Sequence, residues 1–428
     1  VHGGVAEPAA AAAEAAMIAS WAEGRSSPSP AAAEPQLPGE PSDGMMELLA
    51  MSMTTSPFLA LLHTPCPLAP SLCVVGGDAS SLAELRAPAL LTPTLGYLRQ
   101  LLQTCVEIEH STIPLYLTAA WSMDDNKSFA YNVTHGVAIE EMLHMTDAAN
   151  LLNAIGGAPD IDQPSFVPRY PIVMPIINVS SSIASFSRRT YGTFEKIEVE
   201  GPAKTIATTY AYVADVLKEL VAAHGEAAVF TGDPALQVNV TTRGGERTTV
   251  VTTLAAAVAA LEGISDQGSG CPSPDPPGFN LSAGALGGGL AHFARFKEVL
   301  VGREYRTGDT VDSGPTGAAV AVDWSGVRRF VDDPRVEDFD AKGAAGAAAR
   351  AFAGNYTKLL VALHAVFNGH PDRFMATVRQ MAGLRRLADA AMATHDPRFP
   401  PNATMGVGPT WQYLAEASEW EQRGRRPR

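Results

Sequence analysis

Several features that identify common classes of protein are scarce or absent in this sequence. Its 428 residues contain only four cysteines, too few for a disulfide-rich scaffold. Acidic residues outnumber basic ones by 45 to 31, and the net charge of −14 argues against non-specific nucleic-acid binding, which needs a basic footprint. No run of 18 apolar residues escapes interruption by proline or polar residues, so no membrane span is expected. The four cysteines allow three disulfide pairings, among which the sequence does not choose: Cys66, Cys73, Cys105 and Cys271.

Asparagine is also scarce, but its placement is informative. Seven of the ten asparagines lie in Asn-x-Ser/Thr sequons, whereas the Ser and Thr content predicts roughly one or two by chance. This density favours a glycoprotein that is secreted or retained in the lumen of the secretory pathway. The sequon asparagines are Asn126, Asn132, Asn178, Asn239, Asn280, Asn355 and Asn402.

Composition divides the chain into five segments. Residues 1–90 are rich in Ala, Pro and Ser and cannot bury enough apolar surface to offset chain entropy, which predicts a low-complexity, mostly disordered segment. Almost no stretch alternates with period two, apart from VNVTT near residue 238, so the predicted class is mainly α. The remaining segments are predicted as a helical bundle over 91–302, an irregular connection over 303–345, a helical extension over 346–415 and a basic tail over 416–428.

Helix signals define the expected elements. Thr92-Pro93 is typical of an N-cap followed by the first helical residue, and Gly156-Gly157 is typical of a helix end. The stretch between the second and third helices, PSFVPRYPIVMPIINVSSS, is predicted to be irregular because of its prolines. Helices are predicted over 92–121, 128–155, 203–224, 249–264, 286–301, 346–367 and 371–394.

Two of these helices carry carboxylates on stripes that are otherwise apolar. Glu109 shares a face with Leu102, Val106 and Ile113, and Glu141 lies on the stripe that also carries His144 one turn later. Burying an ionised carboxylate costs several kcal/mol or more unless a partner offsets its charge. An inward Glu on one helix and an inward Glu-x-x-His on the next is the pattern of a metal site within a helical bundle.

The flanking residues are assigned by the same geometry. Tyr116 lies seven residues after Glu109, where its hydroxyl could orient a metal-binding carboxylate. Glu140 lies about 100° away from the stripe of Glu141, which predicts that it faces water or the edge of the bundle.

The same blocks carry a resemblance to a known family. EIEHSTIPLYLTAAWSM, EEMLHMTDAANLLNAIGGAP and LAHFARFKEV resemble the ferritin-like domain of the iminophenyl-pyruvate dimer synthase family. That family includes enzymes that couple oxidised aromatic amino acids in violacein and rebeccamycin assembly. The resemblance extends over about 93–415 and implies a four-helix bundle with an extra C-terminal helical pair. It also implies that His292 is a ligand from the fourth helix, beside Glu109, Glu141 and His144.

The sequence departs from the ligand pattern that the resemblance implies. Gly289 stands three residues before His292, and Thr208 stands where a third-helix Glu is expected. Ser269 likewise occupies a position where an acidic residue is expected. Two carboxylates of a dinuclear site are therefore expected to be absent. Asp215 or Glu219 could replace a missing carboxylate only after a change of helix register. Glu195 or Glu198 could do so only if the preceding loop folds inward.

Two functions from different classes follow. The first is a metal-binding protein with one iron or manganese ion, completed by water, that acts as an oxidoreductase on a small aromatic or imine substrate. The second is a non-catalytic secreted glycoprotein that keeps the bundle as a scaffold around a vestigial site without metal. The sequence is compatible with an oligomer, but seven glycans and a C-terminal extension argue against the packed shell of an iron-storage protein.

Overall fold

A computed structural model describes most of the chain after its N-terminal segment. The described residues are 93–174, 179–198, 206–241, 247–268, 290–306, 308–309 and 313–418. The predicted disordered segment over 1–90 lies outside them, as do Cys66, Cys73 and Cys271. Cys105 is a free, buried thiol. None of the helices in the described ranges is both long and apolar enough to cross a membrane.

The first two helices form an antiparallel pair at the centre of the fold. Helix α1 spans Leu95–Ser122, and its N-cap is Thr94, two residues later than the predicted Thr92, because the Thr94 side chain accepts the amide of Tyr97. The helix continues through Pro114. Helix α2 spans Phe129–Ala154, close to the prediction, with Ser128 as its N-cap and Gly156 in the left-handed conformation beyond its end.

The third position of the bundle is occupied by two helices in succession. Helix α3, Arg188–Glu198, was not predicted, because the prolines before it suggested that the whole stretch was irregular. Helix α4 spans Ile206–His224 and is followed by the single turn α5, Glu226–Val229. In the region where VNVTT suggested a strand, the described residues form an isolated β-bridge, Thr241 with Arg247, and no regular strand.

The fourth position is also divided. Helix α6 spans Leu254–Gln267 and begins later than predicted, because Thr253 caps it by accepting the amide of Ala256. Helix α7 spans His292–Val301. The amide of His292 donates to the carbonyl oxygen of Gly268 at 3.1 Å, so the start of α7 lies against the end of α6.

The bundle is a square of antiparallel neighbours. Helix α1 contacts α2 and α4, α2 contacts α6 and α7, and the square closes where α4 packs on α6 and α3 on α7. Both breaks in the third and fourth helices therefore lie at a similar level, where α3 ends at Glu198 and α7 begins at His292. The predicted mainly helical four-helix bundle is confirmed.

The C-terminal helical pair packs on the outside of the bundle. Helix α8 spans Ala344–Phe367 and α9 spans Phe374–Ala393, both near their predicted bounds. Trp411 joins this pair to α1, since its ring lies 5.8 Å from that of Trp121 and its Nε1 donates to Thr118. The strands are two-residue pairs: β1 (Ile172–Val173) with β2 (Ser180–Ser181), antiparallel, and β3 (Arg329–Phe330) with β4 (Met405–Gly406), parallel.

Candidate metal centre

Five potential metal ligands converge in the middle of the bundle. Helix α1 supplies Glu109, α2 supplies Glu141 and His144, the last residue of α3 is Glu198, and the first residue of α7 is His292. None of these side chains has more than a few per cent of its surface exposed. A carboxylate at this depth requires compensation by a cation or hydrogen-bond donors.

The five residues form two groups of donors that share one carboxylate. Glu109, Glu141 and His144 place one potential ligand atom each within 4.8 Å of one another, and so do Glu141, Glu198 and His292. The oxygens of Glu141 divide between the groups. Its Oε1 lies 2.8 Å from Nδ1 of His292, and its Oε2 lies 3.8 Å from Nδ1 of His144. Glu141 is therefore placed as a bridging carboxylate would be.

The terminal carboxylates, Glu109 and Glu198, have matching surroundings. Glu109 accepts a hydrogen bond from the hydroxyl of Tyr210 on Oε1, while its Oε2 lies 3.6 Å from Nδ1 of His144. Glu198 accepts a hydrogen bond from Tyr116 on Oε1, while its Oε2 lies 3.6 Å from Nδ1 of His292. In each group a tyrosine holds one oxygen and leaves the other facing the histidine, which is how a hydrogen bond orients a ligand.

The two imidazoles face the carboxylates through Nδ1 and are held from behind through Nε2. Nε2 of His144 lies 2.8 Å from Oε1 of Gln267, and Nε2 of His292 lies 2.8 Å from Oε2 of Glu140. Nδ1 of His292 is buried and makes no hydrogen bond, although Glu141 is close, because the geometry is not that of a hydrogen bond. A buried Nδ1 turned towards carboxylate oxygens is the arrangement of a metal-binding histidine.

The electrostatics of the centre favour a cation. Burial, and then repulsion by Glu141, raise the pKa of Glu109 to about 8. The same two causes raise the pKa of Glu198. Burial lowers the pKa of His144, but its interactions with Glu109 and Glu141 outweigh burial and raise that pKa to about 10. Burial raises the pKa of Glu141, but its interactions with His144 and His292 outweigh burial and keep that pKa well below its usual range. Glu109 and Glu198 thus hold protons more readily than free carboxyl groups, and divalent ions would replace those protons.

Glu140 lies at the contact between α2 and α7. Only 12% of its side chain is exposed, and both of its oxygens accept hydrogen bonds from Arg295 in α7. Burial raises the pKa of Glu140, but its interactions with Arg295 and His292 together outweigh burial and lower that pKa to about 2. Of the two predicted positions, facing water or the edge of the bundle, the first is wrong. Helix α2 has neighbours on two flanks, so a residue 100° from one buried stripe lies against α7, and Glu140 is partly buried there.

The structure brings together all four residues that the sequence predicted as ligands, and adds Glu198. From the sequence, Glu198 could be a ligand only if its segment folded inward. That segment forms helix α3, whose last residue, Glu198, lies in the centre. Three further contacts were missed: Tyr210, Gln267 and the Glu140–Arg295 pair.

The other proposed substitutes do not reach the centre. Asp215 is exposed and pairs with Lys218, Glu219 is exposed, and Glu195 pairs with Lys297. Gly289, Ser269 and the side chain of Thr208 lie outside the described part of the structure.

The sequon asparagines differ in exposure. Asn239 and Asn402 are exposed, and Asn126, Asn132 and Asn355 are partly exposed. Asn178 and Asn280 lie outside the described residues. None of the five described sequon asparagines is buried, so each of these side chains has at least part of its surface open to solvent.

Comparison with known proteins identifies the fold around this centre. Residues 102–301 match the family model described as ferritin-like. The crystal structure of a ferritin-like protein from Caulobacter vibrioides is similar to this chain, with a TM-score of 0.50 and 19% sequence identity over 76% of this chain and 99% of that one. No curated protein matches the sequence. The helices around the centre therefore have a ferritin-like fold, and the five candidate ligands all lie within the matched residues 102–301.

Proposed function

We propose that this ferritin-like domain holds a carboxylate-bridged pair of metal ions. Glu109 and His144 would hold one ion, Glu198 and His292 the other, and Glu141 would join them. The observation that carries the proposal is the division of the two Glu141 oxygens between the two histidines. The sequence led us to expect a single metal ion because Glu198 was assigned to a loop. The position of Glu198 in the second group of donors favours two metal ions.

The chemistry of the donor set fits this assignment. Three carboxylates offer hard oxygen ligands and two neutral imidazoles offer nitrogen, a combination that suits iron or manganese. When ionised, the three carboxylates carry three negative charges, which two divalent ions balance to within one charge. Nδ1 of His292, which is buried without a hydrogen-bond partner, would gain a partner if a metal were bound.

We further propose an oxidoreductase that acts on a small aromatic or imine substrate, as in the iminophenyl-pyruvate dimer synthases that the sequence resembles. A bound iron or manganese pair would supply the capacity to take electrons from such a substrate. The protein side chains orient the ligands and exclude water. Tyr116 and Tyr210 fix the terminal carboxylates, and the rings of Phe194 and Phe296 pack against Tyr116 at 4.7 and 5.2 Å.

The test is the metal content of the full chain after washing with chelator, measured by mass spectrometry for the wild type, Glu141→Gln and His144→Ala. We expect about two ions per wild-type chain, near-complete loss in Glu141→Gln and loss of one ion in His144→Ala. A folded wild type that takes up neither iron nor manganese would refute the metal centre. It would instead support the scaffold function. Substrate oxidation would then be assayed only with loaded protein, against a panel of aromatic amino acids and their imines.

The second candidate, a secreted glycoprotein scaffold, is supported by the sequons. All five described sequon asparagines have exposed or partly exposed side chains, as attachment of a glycan requires. Expression in a secretory host, followed by enzymatic removal of N-glycans, would show a mass decrease for each occupied site. If the mass does not decrease, both the glycoprotein and the secretory location would lose their support.

A further inference from the structure

The two halves of the proposed centre are alike except behind their histidines. Each half contains one terminal glutamate with a tyrosine hydroxyl on Oε1, one oxygen of Glu141 and one histidine that presents Nδ1. In the described part of the chain, the group behind His144 is the neutral amide of Gln267, whereas the group behind His292 is the carboxylate of Glu140. The two halves thus match in the types of their donor residues and differ in the group behind each histidine.

The chemical effect of the difference has a definite sign. A histidine that offers Nδ1 to a metal carries its proton on Nε2 and donates that proton to the group behind it. A carboxylate is a stronger acceptor than an amide, so it draws the proton further and makes the imidazole a better electron donor. The imidazole of His292 is therefore the more basic ligand of the two.

Arg295 keeps the carboxylate of Glu140 in place. Its Nη1 lies 2.7 and 2.8 Å from the two oxygens of Glu140, and Arg295 itself is only 4% exposed. The pair ties α2 to α7 and fixes both the ring orientation and the tautomer of His292. Gln267, in contrast, is the last residue of α6 and is partly exposed.

We propose that the two halves bind metal with unequal affinity, and that Glu140, held by Arg295, is the positioning residue that makes the His292 half the tighter one. This inference rests on the proposed metal centre. Removal of a hydrogen-bond partner behind a metal-binding histidine typically costs 10- to 100-fold in affinity, and a difference of about that size is expected between the halves.

The test must separate intrinsic affinity from repulsion between two bound ions, so each half is measured alone. Glu109→Gln removes a ligand of the His144 half and leaves the His292 half, and Glu198→Gln does the reverse. Both substitutions keep the shape of the side chain. Titration with Mn²⁺ and Co²⁺, followed by calorimetry and by the visible absorption of Co²⁺, gives one affinity and one spectrum for each half. We expect Glu109→Gln to bind its ion about 10- to 100-fold more tightly than Glu198→Gln.

Second substitutions then assign the cause. Glu140→Gln added to Glu109→Gln should remove most of the advantage and shift the Co²⁺ spectrum. Glu195→Gln is the matched control, because Glu195 also joins neighbouring helices, through Lys297 at 2.6 Å, but does not contact the centre. It should change neither affinity nor spectrum. Gln267→Glu added to Glu198→Gln should tighten the weaker half, and this gain remains measurable even if Glu140→Gln fails to fold.

The outcomes are distinct. Equal affinities in the two half-centres would overturn the inference while leaving the metal centre standing. A loss in Glu140→Gln no larger than in Glu195→Gln would also overturn it, as would a Gln267→Glu variant without gain. A folded wild type that binds neither Mn²⁺ nor Co²⁺ would overturn the centre itself and the inference with it.

Discussion

The guanidinium of Arg295 occupies the space where a side chain at residue 136 would begin. A Cβ atom on Gly136 would lie 2.8 Å from Nη2 of Arg295, closer than non-bonded atoms approach one another. Arg295 cannot simply swing away, because its guanidinium also holds both oxygens of Glu140. The glycine of α2 thus makes room for the ion pair that stands behind His292.

This relationship predicts the effect of Gly136→Ala on stability. Alanine in a helix is normally more stable than glycine by about 0.5–1 kcal/mol. Here the crowding of a buried, tethered arginine should reverse the sign and lower the free energy of unfolding by about 1–2 kcal/mol. Gly192→Ala in α3 is the control, because a Cβ there meets no atom within 4 Å and should stabilise the protein. The free energy of unfolding of both variants is measured with denaturant. If Gly136→Ala is as stable as Gly192→Ala, Arg295 can move away without cost.

The carboxylates of the first two helices could be predicted from the sequence because each helix gives a single clear stripe. Glu109 follows Leu102 and Val106 at steps of seven and three, and all three are buried. Glu198 carried the same signal, since Tyr191 and Phe194 precede it at steps of seven and four and share its buried face. The signal was missed because nearby prolines suggested an irregular segment. A helix of 11 residues contains only about three turns, so its apolar periodicity is a weak signal beside those prolines.

The groups behind the ligands could not be predicted in the same way. The end of α6 meets the start of α7, where the amide of His292 donates to the carbonyl oxygen of Gly268, and Gln267 reaches His144 from there. This is a relationship between segments that local periodicity does not contain. Glu140 and Arg295 meet for a similar reason, since the contact depends on which flank of α2 receives α7. The local sequence pattern predicts where a helix forms, whereas the packing of the whole bundle determines which helices lie beside it.

Tyr210→Phe should destabilise the metal-free protein. The substitution leaves Oε1 of Glu109 buried without its donor, which costs about 1–3 kcal/mol in the free energy of unfolding. Tyr212→Phe, two residues along α4, is the control. Its hydroxyl shares a hydrogen bond of 3.1 Å with Tyr97 at the exposed surface, and its loss should cost about 0.5 kcal/mol or less. Equal losses in the two variants, measured by chemical unfolding in chelator, would argue against a directed contact to Glu109.

Metal affinity should fall as the pH is lowered. In the metal-free protein the pKa of His144 is raised to about 10 and that of Glu109 to about 8, so this pair holds at least one proton at pH 7 that a metal must displace. The apparent affinity should therefore fall by about tenfold or more for each pH unit between 8 and 6. Calorimetry in buffers with different ionisation enthalpies measures the protons released. An affinity that stays constant over this range, with no proton release, would show that the ligands are already deprotonated.

His110 should make the protein less stable in acid independently of any metal. Burial lowers the pKa of its imidazole to about 3, and its Nε2 lies 2.6 Å from the hydroxyl of Tyr356. In the unfolded chain a histidine titrates near pH 6.5, so the unfolded state binds a proton below that pH. The folded state binds this proton only below about pH 3. Stability is therefore complete above about pH 6.5 and decreases as the pH falls, by about 2 kcal/mol between pH 7 and pH 5.

The substitution His110→Gln tests this contribution, because an amide can keep a hydrogen bond to Tyr356 and does not titrate. Unfolding free energies in chelator at pH 7 and pH 5 should differ less in His110→Gln than in the wild type, by about 2 kcal/mol. His370→Gln is the matched control, since the side chain of His370 is exposed and its replacement should leave the wild-type pH dependence in place. If His110→Gln loses stability in acid as steeply as the wild type, the imidazole of His110 must accept a proton within the folded protein, and other groups must cause the acid sensitivity.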